Sequence, residues 1–217
     1  HTVKVIAATP YYPQWKIYQE YDKKGLFSTE VINGVEIFRF KQFTPETPTF
    51  KGRIFQMIHF FIGSFFNVFK IKKNDIVIVV MPFTLSAVLG WFVKTFRGGK
   101  LWIHVQDFEF DAAFETGISN KKGILPRVVF RIERFIFNRA DFTSTISNGM
   151  LNKLETKSNI KKYFFPNWID HSKINPDLAK PSLLFDTSKF NILYSGNIGA
   201  KQDWDFFKLL GLQQFQM

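Results

Sequence analysis

Residues 76–105 read "IVIVVMPFTLSAVLGWFVKTFRGGKLWIHV", and this stretch decides the fold. Two apolar runs, "IVIVVM" (76–81) and "LWIHV" (101–105), flank one helical pattern. Unbroken β-branched and aromatic runs read as strands buried on both faces, as in a parallel sheet between helices. The pattern between them, "TLSAVLGWFVKTF" (84–96), follows Pro82, takes Thr84 as its N-cap and stops at "RGG" (97–99). The unit is strand, helix, strand.

The same alternation extends outward. "VKVIAA" (3–8), "FTSTI" (142–146), "KYFFP" (162–166) and "NILYS" (191–195) are further strand candidates. "ILPRVVFRIERFIFNRA" (124–140) puts Leu125, Val128, Val129, Ile132, Phe135 and Ile136 on one face, with Arg127, Arg131 and Arg134 opposite. "SNGMLNKLE" (147–155) begins a helix at a Ser cap. The order predicts an α/β fold with a doubly wound, mostly parallel sheet. "STEVINGVEIFRF" (28–40) departs from the alternation as a β-hairpin insertion, because Asn33-Gly34 suits a turn with two positive φ angles. "SKINPDLAKPSLLFDTS" (172–188) has two prolines and no clear period, and reads as a linker. The expected domains are 1–172, a linker at 173–188, and the start of a second domain at 189–217. The chain opens on His1, one residue before a strand, and stops inside or just past a helix, so both ends read as truncated.

Composition narrows the function classes. The 217 residues contain no cysteine, which excludes disulfides and thiolate metal sites. Net charge is +11, a balance that attracts nucleic acid, anionic lipid or a phosphorylated substrate. No recognisable nucleic-acid module accompanies the charge, so no nucleic-acid partner is expected. The sequence shows no secretory signal and no uninterrupted apolar stretch long enough to span a bilayer. Phe, present 28 times, takes positions where Leu is more usual.

Three stretches carry polar chemistry. "LWIHVQDFEFDAAFETG" (101–117) ends a strand on His104 and then places Asp107 and Glu109 in the loop. Open parallel sheets bind ligands beyond the carboxyl ends of their strands, so His104 reads as a base or an orienting group. The competing reading is a satisfied core histidine beside solvated acids. No second histidine stands at ligand spacing, so no metal is expected. "YSGNIGAKQDW" (194–204) turns at Gly196 and Gly199 into a helix, with Asn197 between them and Lys201 beyond, an arrangement that suits a phosphate. An ordinary strand-to-helix turn reads equally well. "TPYYPQW" (9–15) offers Tyr11, Tyr12 and Trp15 either to a sugar face or as a plug on the domain.

A fourth stretch points to a surface. "KGRIFQMIHFFIGSFFNVFKIKK" (51–73) has an aromatic body, interrupted by Gln56, His59, Ser64 and Asn67, and basic ends at Lys51, Arg53, Lys70, Lys72 and Lys73. Such a helix suits an anionic membrane surface, or packs on the sheet with a solvated basic end.

Five segments taken together, "ATPYYPQWKI", "WIHVQDFEFDAAFETG", "ERFIFNRADFTSTISNGM", "FPNWID" and "LYSGNIGAKQ", resemble the colanic-acid type of bacterial glycosyltransferase family four. The resemblance covers nearly the whole chain, in order. It implies the GT-B fold, with two Rossmann-like domains facing across a cleft, and retaining sugar transfer. The donor would be a GDP- or UDP-linked sugar, the acceptor a lipid-diphosphate-linked saccharide, and no further cofactor is implied. The implied setting is the inner face of the cytoplasmic membrane, with peripheral attachment through residues 51–73. By position in the family's motifs, His104 lies by the donor sugar and Lys201 faces the donor diphosphate. Gly196, Asn197 and Gly199 form the first turn of the nucleotide-sugar domain. Asp107, Asn167 and Asp170 match motif residues near the cleft. The family often carries arginine where Asn197 stands. The segment before "HTVKV" and most of the second domain are missing relative to the family, so the chain alone is expected to be inactive.

Overall fold

The computed structural model describes residues 2–47, 49–81, 84–108, 124–170, 172–180, 182, 185–186, 188–191, 193–196, 204–205 and 209. The chain divides into two compact units, His1–Trp168 and Ile169–Met217.

The first unit opens with β1 (Lys4–Ala8), a short helix α1 (Gln19–Asp22), and a hairpin of β2 (Phe27–Ile32) and β3 (Val35–Phe40). The hairpin turn holds Asn33 at φ 49° and Gly34 at φ 79°, the left-handed region that selected these residue types. The hairpin is built into a sheet: β3 pairs antiparallel with β2 and parallel with β1, giving the order β1-β3-β2. Helix α2 (Phe50–Val68) follows, capped by Thr49, whose side chain accepts from the Gly52 amide. It lies directly on β3, since a Cβ at Gly63 would fall 2.2 Å from the Phe40 ring.

The central unit then appears as the sequence predicts: β4 (Ile76–Met81), α3 (Thr84–Arg97) and β5 (Lys100–Val105). Thr84 is the first helical residue, not the cap. After α4 (Ile124–Phe137) come β6 (Phe142–Thr145), α5 (Asn148–Lys157, capped by Ser147) and β7 (Lys162–Phe164). These strands form a parallel sheet in the order β4-β5-β6-β7. Each crossover steps to the next neighbour in one direction, and right-handed crossovers then put all three helices on one face. That face holds the main core, where Val79, Met81, Leu101, Ile103 and Val105 pack on Ala87, Ile136, Phe137 and Leu154.

Three expectations need correction. Among the described residues the strands form two sheets rather than one, because β1 and β4 share no ladder. The helices bridge them instead: Val68 of α2 with Leu89 and Val93 of α3 make a cluster on which Ile6 of β1 and Val77 of β4 pack. Among the described side chains of α4 the buried ones are Glu133, Ile136 and Phe137, while Val128, Ile132 and Phe135 are 48, 43 and 43% exposed, and Leu125 and Val129 lie outside the described side chains. An ion pair from Lys157 of α5 draws Glu133 inward, and the Phe135 ring turns to Trp91 of α3 and to Arg139. In "NILYS" the described residues, 191 and 193–195, are irregular, with no paired strand among the described residues of the second unit. A strand run is only a strand once a partner satisfies its backbone.

Helix α2 is also turned differently from a simple amphipathic reading. Its polar residues Gln56, Ser64 and Asn67 are buried, and Phe55, Ile58, Ile62 and Phe66 lie exposed in a stripe that continues to Phe69. No described helix is long and apolar enough to cross a membrane.

Candidate functional site

Strand parity creates the site. Along β5, Leu101, Ile103 and Val105 point to the helix-covered face, so Trp102 and His104 point to the other. The parallel register sets His104 beside Ser144 of β6. Trp102 Nε1 donates to Ser144 Oγ at 2.7 Å, and the same oxygen lies 2.8 Å from His104 Nδ1. The other ring nitrogen, Nε2, lies 2.9 Å from the side-chain amide of Gln106. Just past β7 the chain continues alongside β6, with the Phe165 amide donating to the Thr145 carbonyl at 2.9 Å. The Phe165 ring then stands edge-on to Trp102 and His104, with centroids 5.4 and 5.5 Å away. Trp168 follows, 6.3 Å from Phe165 and 75% exposed.

His104 is 4% exposed and Ser144 is fully buried. Burial pushes the imidazole below its ordinary pKa, so at neutral pH the ring is uncharged. The arrangement therefore supplies a neutral, fixed hydrogen-bonding ring at the carboxyl end of a parallel strand. A ring of this kind can orient a ligand oxygen.

The remaining expected site residues are distributed as follows. Asp107 is exposed just beyond Gln106, while the adjacent Phe108 returns to the core beneath Lys153 and Lys157. Asn167 is exposed in the first unit, between Phe165 and Trp168. Tyr11, Tyr12 and Trp15 follow β1, in the other sheet from His104. Tyr11 and Trp15 pack with ring centroids 5.6 Å apart, Arg53 of α2 lies over the Trp15 ring, and Tyr12 is 59% exposed. In the second unit, Asp170 accepts from both the amide and hydroxyl of Ser172. Those bonds, with Lys173 nearby, hold its carboxyl below the usual range, the signature of a local turn. Gly196 is exposed, and a Cβ there would lie 2.9 Å from the Tyr194 hydroxyl. Glu109, Asn197, Gly199 and Lys201 lie outside the described residues. Among the described residues no cluster of three metal-ligating side chains forms.

The chain is 31% identical over 214 residues to a protein of Escherichia coli (strain K12) that carries the name of a colanic acid biosynthesis glycosyl transferase, WcaI. The match takes in 93% of this chain. Over nearly all of its length the chain is thus similar to a glycosyltransferase of the colanic-acid type. It spans about half the length of that relative, 52%. No family model matches the chain. The four-stranded parallel sheet with its helices agrees with a Rossmann-like domain of such a glycosyltransferase.

Sequence reasoning singled out His104 but not the residues that touch its ring, Gln106, Ser144 and Phe165, or Trp102, which shares Ser144 with it. A signal was present. Hydroxyls at Thr143, Ser144 and Thr145 are unusual in a buried strand and mark polar pairing.

Proposed function

We propose that this chain is the acceptor-side part of a retaining glycosyltransferase. It moves a sugar from a GDP- or UDP-linked donor to a lipid-diphosphate-linked saccharide in exopolysaccharide, capsule or O-antigen assembly. Two things support this reading: kinship with the colanic-acid type, and a buried neutral histidine at the carboxyl end of β5. His104 positions the donor sugar. The bond from the anomeric carbon to the diphosphate oxygen breaks, and the acceptor hydroxyl forms the new one as it loses its proton. Lys201 and the amides after Gly196 meet the charge that gathers on the leaving diphosphate, a preorganised electrostatic role. No metal is needed where the protein supplies that charge.

The acceptor places the reaction at the inner face of the cytoplasmic membrane, with the chain attached peripherally. The apolar stripe Phe55, Ile58, Ile62, Phe66 and Phe69, with Lys70, Lys72 and Lys73 beyond its end, favours this attachment. The same stripe favours a second reading, a non-catalytic membrane-peripheral module. Sedimentation with anionic vesicles at low salt tests the attachment; failure to bind removes the second reading and the docking part of the first.

Transfer itself is tested in cells that make the protein. Deletion of its gene is expected to leave lipid-linked saccharides one sugar short, read by mass spectrometry, and an unchanged pattern contradicts the reading. The purified 217-residue chain is expected to transfer little or no sugar by itself. Measurable turnover would contradict that part alone.

A further inference from the structure

Ser144 has one hydroxyl hydrogen and two lone pairs, and two neighbours compete for them. The indole of Trp102 can only donate, so its bond to Ser144 Oγ fixes one lone pair as an acceptor. Were His104 Nδ1 also to donate, the hydroxyl would accept twice and its own hydrogen would be buried without an acceptor. Ser144 is fully buried, and among the described residues its oxygen bonds only Trp102 and His104. The arrangement that satisfies every group is a relay: Trp102 donates to Ser144, Ser144 donates to Nδ1, and the ring proton sits on Nε2. Gln106 must then offer its carbonyl oxygen to Nε2. Its two amide ends have the same shape, and half a turn of the amide exchanges them. The nitrogen assigned nearest to Nε2 favours the opposite tautomer, but Gln106 is partly exposed and free to turn, whereas Ser144 is not.

We propose that Trp102 and Ser144 are positioning residues that lock His104 as an Nε2–H donor, capped by the Gln106 carbonyl until a sugar hydroxyl oxygen takes its place. The proposal rests on the reading of His104 as a donor-sugar residue. It adds which nitrogen bears the proton, what sets it there, and which side chain must yield. Trp102 acts on the sugar two hydrogen bonds away, through Ser144 and the ring. The lowered pKa of His104 agrees with it, because only a neutral ring has a tautomer to choose.

The test reads the tautomer directly, without substrate. The 217-residue chain, labelled with ¹⁵N in its four histidines, is examined by two-bond proton–nitrogen correlation at neutral pH, with His104→Gln to assign the signal. The expected spectrum has His104 Nε2 protonated and Nδ1 bare. Ser144→Ala should shift the tautomer ratio by roughly fivefold or more toward Nδ1–H, the scale of one lost hydrogen bond. Ser144→Thr keeps the hydroxyl and should restore the wild-type spectrum. Trp102→Phe frees the second lone pair and should shift the ratio partway. A wild-type ring protonated on Nδ1, or a ratio unmoved by Ser144→Ala and Trp102→Phe alike, overturns the proposal. If Ser144→Ala fails to fold, the wild-type, Ser144→Thr and Trp102→Phe spectra still decide. A failed relay would leave the transfer assay unaffected, and failed transfer would leave the tautomer as read, so the two claims fail separately.

Discussion

The two faces of the β4–β7 sheet are built from the same strands and do different work. On one face Leu101, Ile103 and Val105 are fully buried under α3, α4 and α5. On the other, Ile76, Ile78 and Val80 of β4 are 48, 54 and 57% exposed, and Trp102, His104 and Ser144 exchange hydrogen bonds beside them. One residue of shift along β5 separates the two environments. The covered face concentrates apolar burial, the main source of stability. The open face carries a polar network on which the Phe165 ring packs, 5.5 Å from the His104 ring. Apolar burial and the buried polar network are thus divided by strand parity.

The largest effect expected from this division is on the covered face. Ile103→Ala should cost about 2–5 kcal/mol in urea unfolding, through lost burial and a residual cavity. The companion change Ile78→Ala removes a half-exposed side chain from the neighbouring strand and should cost about 1 kcal/mol or less. Equal losses would break the comparison. Next comes Gly90→Ala on α3, where a Cβ would fall 2.3 Å from Val79 Cγ2 and 3.1 Å from Leu101 Cδ1. Overpacking of that kind costs about 1–3 kcal/mol, measurable as a lowered midpoint.

A smaller, pH-dependent effect is expected at the amino end of β5. Asp141 accepts from the Leu101 amide at 2.7 Å and pairs with Lys94 at 2.7 Å. Burial alone would raise its pKa, but the bonds from Lys94, the Leu101 amide and Lys100 outweigh burial and hold it below the usual range. Its folded pKa is therefore below its unfolded value, so its contribution is complete above about pH 4 and fades as pH falls through the lower folded pKa. Asp141→Asn should flatten the acid limb of the stability curve between about pH 5 and 2. The smallest effect is expected from Ser64→Ala on α2. Among the described residues the buried Ser64 hydroxyl has no hydrogen-bond partner, so its removal should leave stability unchanged or slightly higher.

Local signals were read correctly from sequence where they are self-contained. Residues 76–81 form a strand over the bounds that their apolar run predicts, and Asn33-Gly34 turns the hairpin because φ preference needs no tertiary partner. Ser147 caps its helix for the same reason. What failed depended on partners. The apolar stripe of α4 did not specify which part would face the sheet, and the Glu133–Lys157 pair settled it. "NILYS" had the composition of a strand without a neighbour to pair with among the described residues. The site divides in the same way. A histidine at the end of a buried strand is visible in sequence, but its contact with Ser144, forty positions later, needs the β5–β6 register.

The most direct test replaces the histidine on the open face in cells that make the protein, and follows stability and lipid-linked saccharides together. With His104→Ala folded and present at the parental level, the account predicts saccharides one sugar short of the parental length. Saccharides of full parental length, made by that folded variant, would contradict it.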